Sequence, residues 1–344
     1  MKRIVIVGAS GFTGAELLRI CATHPEFEVV AATGDSQAGT VIADLYPSLA
    51  ASYGNTKFVP YGDELLDGAD LAFLGLPHGA SQAIIPSMRG RVGHVVDLAA
   101  DFRLDDPALY PTWYGEPHTA PELLDDFVYG MPELFRDRIH GAELIAAPGC
   151  YVTTSTLALA PLVKSGVAEP TGIVVDAASG VSGAGRAPKP NTTFCSTDEN
   201  FTAYGLLTHR HTPEIEMAVS MHSGRDVQLI FTPHLAPMNR GILATCYARP
   251  SDPTTTGDAL ACLSEAYSDE PFVVVSERIP STKAALGSNS IHITARVDDR
   301  TGWIVVIAAL DNLVKGASGQ AVQCANLALG LDETTGLSAS GLYP

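Results

Sequence analysis

The chain has 344 residues, 46% of them hydrophobic, enough to bury a large core and more in keeping with two domains than one. A formal net charge of −17 and a pI near 4.8 argue against nucleic acid or an anionic membrane as partner, since both call for basic surface. No apolar run approaches the about 18–20 residues of a membrane span, and Ile4–Val7 is cut by Gly8 before it can serve as a signal-peptide core. A soluble, cytoplasmic protein is therefore expected. The cysteines at 21, 150, 195, 246, 262 and 324 lie far apart with no C-x-x-C pair, which fits reduced thiols better than a disulfide framework or a zinc module.

The first segment reads as strand, glycine turn and helix. Arg3-Ile4-Val5-Ile6-Val7 is a β-branched run suited to a buried parallel strand, and it leads directly into Gly8-Ala9-Ser10-Gly11-Phe12-Thr13-Gly14. A helical pattern follows over residues 15–22. Glycines at 8, 11 and 14 form a variant of the dinucleotide fingerprint, in which small residues let the backbone approach a pyrophosphate and a helix N-terminus points at it. A second strand, residues 27–32, ends at Thr33-Gly34-Asp35-Ser36, where the adenosine ribose is usually read. Asp35 suits the 2′-hydroxyl of NAD, whereas only Thr33 and Ser36 are local donors for the 2′-phosphate of NADP. Strands at residues 71–76 and 95–98 continue the alternation of strand and helix, the signature of a doubly wound parallel sheet.

The pattern changes after Cys150. A helix is expected through about Ser165, then a strand at 172–176 and the glycine-rich loop Ser179-Gly180-Val181-Ser182-Gly183-Ala184-Gly185-Arg186. Further strands at 226–232, 241–248, 272–275, 290–297 and 303–309, with helices at 213–222 and 257–267, predict a mainly antiparallel sheet flanked by helices. The last helix, 316–329, is apolar on Ala317, Ala321, Val322, Leu327 and Leu329, as for a helix that returns to the nucleotide domain. The expected fold is α/β, with a Rossmann-type doubly wound parallel sheet and a second α+β domain whose mixed sheet is mainly antiparallel. The nucleotide domain spans 1–148 joined by 316–344, and the catalytic, substrate and dimerisation domain spans 149–315.

Cys150 lies where Pro148-Gly149 turns into a helix, so its thiol is placed near free backbone N–H groups that stabilise a thiolate. The bland alternative is a buried, inert cysteine. A thiol mechanism needs a proton shuttle, and His209-Arg210-His211 supplies one. If that segment is extended, both histidines project to one side, with Thr212 as helix cap and Pro213 opening the helix. His209 ranks slightly ahead of His211. An H-x-H metal pair lacks a third ligand, so no metal is expected. Ala184 stands where a serine-hydrolase elbow needs glycine, which removes Ser182 as a nucleophile.

Gly8–Gly14, Leu76-Pro77-His78-Gly79, Asp97-Leu98-Ala99-Ala100-Asp101-Phe102-Arg103, Val128-Tyr129-Gly130-Met131-Pro132-Glu133 and Pro148-Gly149-Cys150-Tyr151 occur in order. So do Ser182–Arg186, His209-Arg210-His211-Thr212-Pro213-Glu214, residues 231–241, and the run Asp311-Asn312-Leu313-Val314-Lys315-Gly316. Together they resemble the N-acetyl-gamma-glutamyl-phosphate reductase family over nearly the whole chain. The resemblance implies a fold like that of glyceraldehyde-3-phosphate and aspartate-semialdehyde dehydrogenases. It implies NADPH-dependent reduction of an acyl phosphate to N-acetylglutamate semialdehyde, in arginine biosynthesis, through a Cys150 thioester with His209 and His211 as proton carriers. For the cofactor it implies Gly8, Ser10, Gly11, Phe12, Thr13, Gly14, Ser36, Pro77, His78, Gly183 and Asn312. For the substrate carboxylate and phosphate it implies Arg186 first, then Arg103, Ser182, Arg210 and Lys283. Gly34-Asp35 departs from the family pattern, which leaves NAD open beside NADP. A homo-oligomer, dimer or tetramer, is expected, with a small-molecule substrate and neither nucleic acid nor membrane as partner. Another semialdehyde dehydrogenase, or a nucleotide-binding redox sensor with a regulatory thiol, is the alternative.

Overall fold

The computed structural model describes residues 1–343, which divide into two compact units. The first comprises Met1–Pro111, Glu116–Pro148 and Ala317–Leu337. Its six-stranded sheet has β1 (Lys2–Val7), β2 (Phe27–Ala32), β3 (Leu71–Leu74), β4 (His94–Asp97), β5 (Val128–Tyr129) and β6 (Leu144–Ala146) in the order β2-β1-β3-β4-β6-β5. Every pairing is parallel. Ile4–Val7 and all of β3 are buried, as expected for strands covered on both faces. The strand order reverses beside β1, so the turn after β1 opens at the switch point where such sheets bind ligands. Strands β5 and β6 were not expected; at two and three residues they are too short to show a period.

The first helix starts at Phe12, three residues earlier than its sequence pattern suggests, with Gly11 as N-cap and no capping side chain. The last begins at Gly319, after a π-helical turn at Val314–Ser318, and ends at Ala328. It is buried all round, and its amide side chains reach partners in the same unit. Gln320 donates to Gly130 O at 3.2 Å, and Gln323 donates to the Glu133 and Glu333 carboxylates at 3.2 and 3.0 Å. Asn326 Oδ1 lies 3.0 Å from His24 Nε2. The expected apolar stripe is thus only part of a fully enclosed surface.

The second unit comprises Thr112–Gly115, Gly149–Gly316 and the segment from Ser338. The tail leaves the first unit after Leu337, where the sequence pattern gave no sign of a change. Ser338 O accepts from Asn289 N–H at 2.8 Å, and Leu342 N–H donates to Leu286 O at 2.7 Å. The unit's sheet contains β7 (Ile173–Gly180), β8 (Thr202–Ala203), β9 (Leu229–Ala236), β10 (Ile242–Ala248), β11 (Val273–Val275), β12 (Ile291–Val297) and β13 (Ile304–Leu310). The order is β11-β12-β13-β10-β7-β9-β8, with β7/β9 and β11/β12 parallel and the other four neighbours antiparallel. Strand β9 starts three residues later than expected and runs through Pro233, where a pattern-based strand stops; its edge neighbour β8 pairs only with His234 and Leu235.

Helices Cys150–Lys164, His211–Ser223 and Thr256–Ala266 pack on the sheet. Alternate residues of the central strands, such as Val174, Asp176 and Ala178 on β7 and Leu243, Thr245 and Tyr247 on β10, stay partly exposed on the other face. Among the described residues no helix is long and apolar enough to cross a membrane.

Candidate active site

In the first unit the glycine turn has the shape its sequence implies. Gly8 has φ 81°, a conformation that L side chains rarely adopt, and a Cβ there would lie 2.5 Å from Gly75 O. At Gly14 a Cβ would collide with Ala9 Cα, so this glycine lets helix and strand close up. Gly11 has only Gly8 O within reach, at 3.7 Å, and its place as N-cap leaves the first-turn N–H groups facing the turn. Such a turn fits a dinucleotide pyrophosphate: backbone donors are presented and no Cβ intrudes. Thr33, half of the expected 2′-phosphate pair, is buried and accepts from Gly8 N–H at 3.0 Å, which makes it part of the turn instead. Ser36 and Asp35 are exposed, Asp35 at φ 40°. Ser10 Oγ donates to Gly34 O at 3.3 Å, Thr13 O accepts from Ser318 Oγ at 2.9 Å, and Phe12 is half-buried.

His78 pairs through Nδ1 with Asp101 Oδ1 at 2.5 Å, next to exposed Pro77. Asp101 also accepts from Gly79 N–H (2.7 Å), Ser81 N–H (3.0 Å), Ser81 Oγ (2.8 Å) and Gln82 N–H (3.3 Å), capping the Ala80–Met88 helix. Burial raises the Asp101 pKa, but the bonds from His78, Gly79 and Ser81 outweigh it and hold the carboxyl at about 2. Asp97, wholly buried at the end of β4, is pushed up to about 7 by desolvation, against the pull of the Ala99 N–H.

In the second unit Cys150 is the first residue of the Cys150–Lys164 helix, with Gly149 as N-cap at φ −68°, ψ 150°. The N–H groups of a helix's first turn have no partner within the helix, so the thiol sits at the positive end of the dipole. Gly149 carries the closest approach in the site: a Cβ there would collide with His211 Nε2. Its N–H donates to Glu214 Oε1 at 2.9 Å. On the other side, a Cβ at Gly316, within the π-turn, would come to 2.8 Å from Cys150 Cβ. π-turns of this kind are frequent at functional sites.

The histidine segment is not extended. Arg210 has helical angles (φ −61°, ψ −13°), and the helix opens at His211, two residues before the expected start, so Thr212 is not its cap. The N-cap is Arg210, and His209, one residue before it, accepts the His211 N–H through Nδ1 at 3.2 Å. The two rings meet all the same, with centroids 4.7 Å apart, because a turn rather than β alternation brings them together. His209 is surrounded by the rings of Tyr151 (5.9 Å), Tyr204 (5.5 Å) and Phe231 (5.4 Å). Burial, then the charge of Arg210, lowers its pKa to about 4.

Family models match both units: the semialdehyde dehydrogenase NAD binding domain over residues 3–142 and the semialdehyde dehydrogenase dimerisation domain over 150–312. The chain is 48% identical to the N-acetyl-gamma-glutamyl-phosphate reductase of Desulforudis audaxviator, with both chains covered in full. It is 46% identical to that of Geobacter sulfurreducens, again over the whole of both. The chain belongs to the N-acetyl-gamma-glutamyl-phosphate reductase family. Among solved structures, aspartate semialdehyde dehydrogenase II of Vibrio cholerae superposes with a TM-score of 0.72 at 16% identity, covering 96% of this chain and 98% of that one. The enzyme of Candida albicans with NADP gives 0.68 at 16% identity, covering 95% and 98%. These two share the fold.

Within this reductase-family chain, the other expected site residues divide by what their side chains already do. Asn312 Oδ1 accepts from Gly241 N–H at 2.7 Å and its Nδ2 donates to Ser182 Oγ at 3.0 Å, so Asn312 and buried Ser182 pin the glycine loop that carries Gly183. Arg103 is buried, with Nη2 donating to Leu98 O at 2.7 Å. Arg186 is partly exposed after Gly185, Arg210 is exposed with its guanidinium 5.7 Å from the Tyr114 ring, and Lys283 is exposed on the Thr282–Ala285 turn. Glu214 was not singled out from the sequence. Its signal was present in the i, i+3 spacing from His211, which puts both on one helix face.

Proposed function

We propose that this chain reduces N-acetyl-gamma-glutamyl phosphate to N-acetyl-L-glutamate 5-semialdehyde, with release of phosphate, as a cytoplasmic step of arginine biosynthesis. Membership in the family carries the substrate, and one observation carries the chemistry: a cysteine at a helix start with His211 Nε2 against the N-cap glycine.

Direct hydride displacement of phosphate is difficult, and a thiolate divides it into two easier steps. His211 takes the Cys150 proton. The thiolate then adds to the acyl carbon, the carbon–oxygen bond to phosphate breaks, and a thioester remains on Cys150. A nicotinamide nucleotide, when bound, would supply the hydride for the thioester carbon. The tetrahedral species then expels the Cys150 sulfur to give the aldehyde, and His211 returns the proton. Negative charge on the tetrahedral oxygen is met by first-turn N–H groups of the Cys150 helix. His211 is the better base because His209 has its Nδ1 bonded to the helix start and a pKa held near 4, too low to keep a proton at neutral pH. The proposed base is therefore His211, where the sequence alone ranked His209 slightly ahead.

Arg186 and Arg210 are the planar donors proposed for the substrate's carboxylate and phosphate, with Arg103 and Lys283 as lesser contributors. NADPH is the proposed reductant, with Ser36 at the 2′-phosphate; exposed Asp35 keeps NADH as the arm to compare. The half-open face of the second unit's sheet, within the match to a dimerisation domain, is the proposed contact with a second copy. The assay is NADP reduction by N-acetylglutamate semialdehyde, with NAD and aspartate semialdehyde as parallel arms. Dependence on phosphate or arsenate is expected, together with inactivity of Cys150→Ala. Equal rates without phosphate, or an active Cys150→Ala protein, refute the reading.

A further inference from the structure

Glu214 is fully buried, yet it bears a carboxylate. Enclosing such a charge is costly, by several kcal/mol, unless it is well compensated. Neutral serine, threonine or asparagine would serve to accept one N-cap N–H. A charged residue in this place calls for a reason beyond capping.

The surroundings supply one. Glu214 Oε1 accepts the Gly149 N–H at 2.9 Å, and Glu214 lies one turn along from His211, whose Nε2 is against the same glycine. Both helix N-termini meet here, and each favours an anion. We propose that Glu214 is the positioning residue of the site: it fixes the start of the nucleophile's helix against His211 and sets a carboxylate beside the Cys150–His211 pair. This rests on the reading of Cys150 as nucleophile and goes beyond it. Bonding to Glu214 also removes the Gly149 amide from the donors available to a tetrahedral oxygen, leaving that task to Cys150 N–H and those after it. The negative charge favours the imidazolium that forms when His211 takes the thiol proton.

Other groups around the pair are Tyr151, its ring centroid 5.9 Å from that of His211, Tyr204, which donates to Tyr151 Oη at 3.2 Å, His209 and exposed Arg210; Lys315, next to Gly316 in the chain, has its Nζ 5.8 Å from the Phe272 ring. None changes in the test. Glu214→Gln keeps an acceptor for the Gly149 N–H and removes only the charge. Alkylation of the folded protein by iodoacetamide is followed from pH 5 to 10 by mass spectrometry of the Cys150 peptide, with exposed Cys195 as reference in the same sample. Removing an anion lowers the pKa of every neighbouring acid, so the Cys150 midpoint moves about one unit toward acid in Glu214→Gln. The Cys195 midpoint stays in place. Glu214→Ala moves the Cys150 midpoint likewise and lowers kcat further, the glycine being no longer anchored; if it does not fold, Glu214→Gln decides alone. An unmoved Cys150 midpoint in Glu214→Gln overturns the proposal, and so does a shift shared by Cys195. Alkylation needs no turnover, so this failure is distinct from an active Cys150→Ala protein, which refutes the underlying reading.

Discussion

Replacing Gly149 by alanine adds one methyl group at the tightest point of the site. The backbone at 149 (φ −68°, ψ 150°) is open to any residue, so strain in the chain itself is not the issue. Reduced freedom of the unfolded chain would by itself stabilise the protein by about 0.4–1 kcal/mol. Against this, the new Cβ collides with His211 Nε2 and lies 2.7 and 2.9 Å from its Cε1 and Cδ2, so the imidazole has to move. Overpacking of this kind costs about 1–3 kcal/mol, leaving a net loss on the order of 1 kcal/mol. The kinetic effect is larger, because a displacement of about 1 Å at a reacting group costs about 100-fold. Steady-state kcat and denaturant midpoints of Gly149→Ala, His211→Ala and the double variant form a cycle. The stability loss vanishes in the His211→Ala background, where the ring is gone, and kcat of the double variant equals that of His211→Ala alone. Wild-type kcat in Gly149→Ala, or full additivity in the cycle, refutes the placement of His211 against the cap of the Cys150 helix.

The pKa of His209 falls from 6.5 to about 4 on folding, so the unfolded chain binds the extra proton first; stability is whole above pH 6.5 and falls toward pH 4, by on the order of 2–3 kcal/mol. His209→Asn, which can still accept the His211 N–H, flattens that slope in urea titrations; an unchanged slope counts against it. Asp97 has the opposite sign: its folded pKa is raised from 3.8 to about 7, so its cost is absent below pH 3.8 and accumulates as pH rises through 7. Asp97→Asn therefore raises Tm at pH 8 and leaves it unchanged near pH 4, and equal effects at both contradict the assignment. Thr255 and Asp258 form a capping box, with Thr255 Oγ1 accepting from Asp258 N–H at 3.2 Å and Asp258 Oδ2 accepting from Thr255 N–H at 2.9 Å. Thr255→Ala costs about 1 kcal/mol in denaturant unfolding and leaves kcat unchanged, whereas lost activity would tie that helix to the site.

The parts legible in the sequence were those with a local cause. The apolar runs Ile4–Val7 and Leu71–Leu74 become β1 and β3 because parallel strands are buried on both faces, and Gly8 and Gly14 mark the turn because only glycine fits there. What was hidden depends on partners distant in sequence. The sequence shows an apolar stripe on the last helix but not that Gln320, Gln323 and Asn326 are interior as well, which Gly130, Glu133, Glu333 and His24 bring about. Thr33 reads as an open phosphate donor, but the fold buries it, with its Oγ1 accepting the Gly8 N–H. The bond between Asn312 and Ser182, which secures the glycine loop, likewise spans 130 residues of chain.

The histidine pair shows how a correct pairing can rest on a wrong geometry. Alternation in an extended segment puts His209 and His211 side by side and makes them equivalent, so nothing in it distinguishes base from support. The turn makes them unequal. His209 gives its Nδ1 to the helix start and is enclosed by aromatic rings, which keeps it neutral. His211 leads a helix whose first turn also carries Glu214, and ring and carboxylate both reach Gly149. Gly149 is thus constrained twice: its missing side chain gives room to the imidazole and its N–H is held by the carboxylate. A substitution there disturbs His211 through space, and one at Glu214 disturbs it through charge, so the two separate packing from electrostatics at a single residue.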